Sequence, residues 1–171
     1  MAMIISLLTI GYALLGSLTQ DNFTTIGHQL GYPFLFIIWT SITATYFLKE
    51  TVGVFKKFYY SFPFQKILSA YIYLAILITP FIPYTEQNIF LDDLHVFFAM
   101  SASVIYLTAF GFFLLHLRKT QPQVTKQIEV PFWCVIYTLF FCLLFFGQIN
   151  SIVEIVLVIS MSYLLNFLKK I

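Results

Sequence analysis

The chain is poor in residues that can move protons or hold a ligand. Its 171 positions include three histidines and seven acidic residues. Four of these stand out by position: His28, Asp92, His95 and Glu154. Asp92 precedes His95 by three residues, so on a helix the two share one face. Glu154 lies within an apolar run, SIVEIVLVIS. An acid at membrane depth costs about 2.5–3.5 kcal/mol on insertion scales, which marks it as paired, functional or reaching up to water.

Such a set serves several chemistries. His28, His95 and Glu154 could hold a divalent metal such as zinc, with two imidazoles and one carboxylate leaving a position open for water. His95, Asp92 and Glu154 could act as general acid and base on a lipid headgroup. The same groups, joined by His28, Asp93 and the asparagines Asn22, Asn88 and Asn150, could bind a headgroup without turning it over. A haem held by His28 and His95 would need both imidazoles facing each other at equal depth. Blander readings stand beside these: Asp92 suits a helix N-cap, and His28 adjoins Gly27 in an irregular stretch. His116 lies about 32 Å from His95 along a helix and belongs with Arg118 and Lys119 at the opposite end. Phosphate-binding glycine loops, GxSxG and HExxH are absent. Cys134 and Cys142 are eight positions apart in an apolar run, roughly 12 Å along a helix and beyond disulfide reach.

The elements that would position these residues follow from hydropathy. The composition is 60% hydrophobic and 9% charged, whereas soluble domains carry about 25% charged residues. A spanning helix needs about 20 mostly apolar residues. Six stretches qualify: residues 3–18, 28–48, 67–82, 94–117, 130–146 and 149–168. The expected fold class is therefore all-α, one integral membrane bundle of six transmembrane helices over residues 1–171. The N-terminus lacks the basic region of a secretory signal and reads as a retained first helix. Pro80 and Pro83 should end the third helix. Gly147, Gln148, Asn150 and Ser151 should turn the chain between the last two.

Charge orients the bundle. Lys49, Lys56, Lys57, Lys66, Arg118, Lys119, Lys126, Lys169 and Lys170 all fall in the second loop, the fourth loop or the C-terminal tail. The odd-numbered loops hold Asp21, Glu86, Asp92 and Asp93 instead. Basic short loops stay in the cytoplasm, so both termini are expected inside the cell membrane and the candidate residues outside. Residues 49–66, which mix lysines with aromatics, suit a loop lying on anionic lipid. A short, tethered loop of this kind is a poor nucleic-acid site.

The outward loops also share a pattern. Thr19 and Thr85 are each followed by two polar residues, an asparagine and an apolar residue, then a histidine further on. The third hairpin has Asn150 and Glu154 in comparable places. Three related helical hairpins are one reading, and the frequency of asparagine in turns is the other.

The runs LHVFFAMSASVIYL, with His95 opening a helix, and SIVEIVLVISMSYLL, with Glu154 in the last helix, resemble the Frag1/DRAM/Sfk1-like membrane proteins and related bacterial six-helix families. The resemblance implies a six-helix bundle with a helix-opening histidine and a late acid. The expected function is an outward-facing polar site that binds or processes a lipid headgroup or lipid-linked substrate. The alternative is a non-enzymatic membrane component with a membrane-protein partner: a transporter subunit, an immunity protein or an assembly partner. Residues 37–45 and 137–144, near helix centres, offer no charged group, which argues against an ion pathway.

Overall fold

The computed structural model describes residues 1–84 and 88–171, and every regular element among them is helical. The helices are α1 (Ala2–Ala13), α2 (Phe23–His28), α3 (Pro33–Lys57), α4 (Gln65–Ile78), α5 (Ile89–Thr120), α6 (Pro122–Phe146) and α7 (Ser151–Lys170). A 3-10 turn, Thr79–Phe81, continues α4.

Local chemistry sets the boundaries. Asn88 caps α5, which runs 32 residues, about 48 Å. Gln121 is the only non-helical residue between α5 and α6. Its extended φ of −143° is what a residue before proline adopts. Pro122 then opens α6, where its missing amide leaves no intrahelical bond unmade. The α6–α7 turn forms where expected. Gly147 ends α6 with φ +68°, a left-handed conformation that favours glycine.

Helices α3, α4, α5, α6 and α7 pack in chain order, and α7 returns to α3. α1 lies along α7 and α3. The hairpin directions put every Lys and Arg at one end of the bundle, with His28, Asp92, His95 and Glu154 at the other. Phe55, Phe110, Phe113, Phe132, Met161 and Leu165 form the main buried cluster toward the lysine end. A smaller aromatic cluster of Tyr12, Phe23 and Phe36 lies under α2. The outward surface is apolar, with Phe34, Phe97, Phe141 and Phe145 exposed, as suits contact with lipid.

Three helices, α5, α6 and α7, are long and apolar enough to cross a membrane. α1 and the α4 segment are apolar but shorter. α3 has 25 residues, and Lys49, Glu50, Lys56 and Lys57 fall in its last third.

Several expected boundaries move. The first helix stops at Ala13 rather than 18, because the chain folds back and the Asp21 carboxylate accepts the Ser17 amide at 2.7 Å. The expected second helix, 28–48, divides: Gly31 at φ +84° and Pro33 separate the six-residue α2 from α3. His28 therefore closes α2 and does not open the long helix. The fifth helix begins at Pro122, not 130, since polar residues continue it while Thr125 and Ile128 bury against the bundle. The third ends at its prolines as expected.

Candidate functional site

The site rests on a seam between distant parts of the chain. Asn150 and Ser151 are buried. The Asn150 amide donates to the Thr19 carbonyl at 3.2 Å, and the Ser151 amide and hydroxyl both donate to the Asp21 carbonyl at 2.8 Å. This fastens the α1–α2 loop onto the start of α7. Tyr12 adds a hydroxyl bond to the Phe23 carbonyl at 3.0 Å. Glu154, one turn into α7, then accepts the Phe23 amide on Oε2 at 2.7 Å. That amide belongs to the first turn of α2 and has no intrahelical acceptor. Among the described residues Glu154 has no Lys, Arg or His within salt-bridge distance.

His95 is buried at 1% exposure in the second turn of α5. Its Nδ1 lies 3.0 Å from the Ile82 carbonyl, which can only accept, so Nδ1 carries a proton. In the neutral ring Nε2 is then the acceptor, and the Thr24 hydroxyl donates to it at 2.9 Å. His28 meets His95 edge to face, with ring centroids 5.5 Å apart. The His28 Nε2 is buried and has no hydrogen-bond partner among the described residues. Burial holds the His28 imidazole below its ordinary value of 6.5. α2 sits this close to α3 because of Gly27: a Cβ there would lie 2.6 Å from the Phe36 ring.

The sequence-predicted residues divide accordingly. His28, His95 and Glu154 gather at one end. Asp92, in the first turn of α5, acts electrostatically on His95. Asp93 is exposed. Asn22, Asn88 and Asn150, expected to contact substrate, serve as helix N-caps. Their side-chain carbonyls accept the amides of Thr25 at 2.8 Å, Leu91 at 3.3 Å and Val153 at 3.2 Å. Capping alone accounts for the recurrent asparagine that pointed to related hairpins. Thr85 and Glu86 lie outside the described residues.

The expected metal set of His28, His95 and Glu154 is not assembled. Among the described residues no three His, Cys, Asp or Glu side chains are placed to hold a metal ion. The reason is local: His95 spends both nitrogens on Thr24 and Ile82, and Glu154 spends Oε2 on a backbone amide. A two-histidine haem fails for the same reason.

Beneath this layer lies a cavity of about 160 Å³, walled mainly by α3, α4, α5 and α7. Glu154, Thr24, Thr43, Trp39 and Tyr106 line it. Thr40 and Thr79, also in the wall, return their hydroxyls to the Phe36 and Ala75 carbonyls. These threonines had not been singled out, though Phe36, Trp39, Thr40, Thr43 and Phe47 recur at helical spacing, a face-marking signal. At the opposite end, Glu50 is buried and paired, with Lys169 Nζ at 2.6 Å, whereas Glu154 is half-buried. Lys57 donates to the Leu168 and Lys169 carbonyls at the end of α7.

Compared with known protein families, with curated proteins and with solved structures, the chain matches none.

Proposed function

We propose that the protein is a six-span membrane protein with both termini cytoplasmic, whose outward-facing site binds or processes a lipid headgroup or lipid-linked substrate. Three spans are the long apolar helices α5, α6 and α7. The others are α3, which reaches the lysine end, and the shorter α1 and α4, extended by their flanking residues. The one-sided distribution of Lys and Arg supports the orientation. Cysteines placed at Asp93 and at Lys119 should label with a membrane-impermeant thiol reagent from opposite sides, in a background where Cys134 and Cys142 are serine.

One observation carries the site: Glu154, without a basic partner, forms part of the wall of a partly open cavity beside the Thr24–His95 pair. A half-buried acid in this state is costly and is kept where something uses it. The occupied nitrogens of His95 favour binding over turnover.

Native mass spectrometry of the purified protein tests the reading. A retained lipid that is lost in both His95→Ala and Glu154→Gln, with each variant still folded, is the expected result. If both variants behave as wild type, the site has been misread. A stoichiometric protein partner, with no lipid, would favour the non-enzymatic component instead.

A further inference from the structure

The cavity has a chemical bias. Its ring-bearing wall is Phe36, Trp39, Phe47 and Tyr106, and among the described residues its one acidic group is Glu154 and no Lys or Arg lines it. Trp39 is held in place by its indole N–H, which donates to the Thr9 hydroxyl at 3.1 Å. A void of about 150 Å³ admits a molecule the size of benzene, so this partly open cavity of about 160 Å³ has room for a small group.

Three ligand chemistries can be set against these walls. A phosphate is recognised by Arg or Lys forks and ammonium donors, and every such residue lies at the far end of the bundle. A plain hydrocarbon would gain nothing from a carboxylate and would leave its desolvation uncompensated. A positively charged amine supplies the missing counter-charge and is attracted to aromatic ring faces. We propose that the cavity takes an alkylammonium group, with Glu154 as its counter-ion and Trp39 and Tyr106 as its walls. The source is either the headgroup of an aminophospholipid or a free small amine. This inference rests on the site reading above and narrows its ligand.

Trp39 provides the readout. The chain has two tryptophans, and Trp133 is exposed on α6. A Trp133→Phe protein in detergent therefore reports the cavity by fluorescence. Titration with n-butylammonium should give a saturable change in Trp39 emission. The neutral isostere butan-1-ol should bind at least tenfold more weakly, and inorganic phosphate should have no effect. In Glu154→Gln the butylammonium response should fall at least tenfold. The Gln carbonyl can still accept the Phe23 amide, and circular dichroism checks that the variant is folded. The alcohol comparison needs no variant at the site, so it stands even if Glu154→Gln does not fold. Equal binding of alcohol and amine, or an undiminished response in folded Glu154→Gln, overturns the proposal.

The source is separated in nanodiscs. Competition with butylammonium by phosphatidylethanolamine, and none by phosphatidylglycerol, identifies a lipid headgroup; competition by neither identifies a free amine. If an anionic lipid is retained and lost in Glu154→Gln while amines do not bind, the ammonium assignment falls and the headgroup reading survives. If neither lipid nor amine is held, both fall.

Discussion

One glutamate lies near each end of the bundle, Glu50 buried and Glu154 half-buried, and they are in opposite situations. Glu50, on α3, has the Lys169 ammonium at 2.6 Å and a packed aromatic core nearby. Glu154, on α7, has one backbone amide and a cavity. The first acid is satisfied by its own protein and reads as architecture. The second is incompletely satisfied and reads as a site. What each carboxylate faces separates the two roles.

The largest effect that would break this contrast is expected from Lys169→Met. It leaves Glu50 buried and uncompensated, and should destabilise the protein by about 2 kcal/mol. Glu154→Gln should cost less than about 1 kcal/mol, since an acceptor for Phe23 remains. Unfolding of both in the same detergent checks this, and equal losses would abolish the distinction.

Next in size is Thr24→Val. It removes the donor to His95 Nε2 and leaves a buried acceptor unsatisfied, for about 1.5 kcal/mol. Thermal unfolding should register it, with His95 still packed against His28. Asn150→Ala should follow, at about 1 kcal/mol or slightly more, because the side chain both caps α7 and holds Thr19. Asn88→Ala, an exposed cap with a 3.3 Å bond, should cost about half as much. Paired denaturation curves would show whether the α7 seam is the stronger anchor.

The smallest effect concerns His28. Its folded pKa lies below the ordinary 6.5, so on acidification the unfolded chain takes up the proton first. The stability tied to the neutral ring is present above pH 6.5 and is lost as the pH falls below it. His28→Phe should flatten the acid side of the stability profile and leave stability at pH 8 unchanged or slightly raised, since an unpartnered nitrogen is removed.

Part of this was legible in the chain and part was not. Apolar runs located the long helices, and Gly147 with Asn150 announced the last turn, because these signals are local. Hydropathy missed the first eight residues of α6, where a polar stretch stays helical and buries only Thr125 and Ile128. It also left Phe23 to Gly27 outside any helix and assigned only His28, the last residue of α2, to the long helix. The gathering of His28, His95 and Glu154 at one end followed from charge bias and helix direction. Their partners did not follow: Thr24 meets His95 across 71 positions and Phe23 meets Glu154 across 131. No periodicity encodes such pairings. The asparagines misled for the converse reason, since a cap and a ligand contact call for the same residue type.

The seam between residues 19–23 and 150–154 bears on how the protein is made. The loop after α1 is made early in synthesis, yet the Thr19 and Asp21 carbonyls and the Phe23 amide bond to Asn150, Ser151 and Glu154 at the start of the last helix. The ribosome must finish almost the whole chain before this end can close. A chain stalled before α7 would present the Asp21 carbonyl without its donors and the Phe23 amide without its acceptor. The bonds that shape this end can therefore form only after the start of α7 has been made.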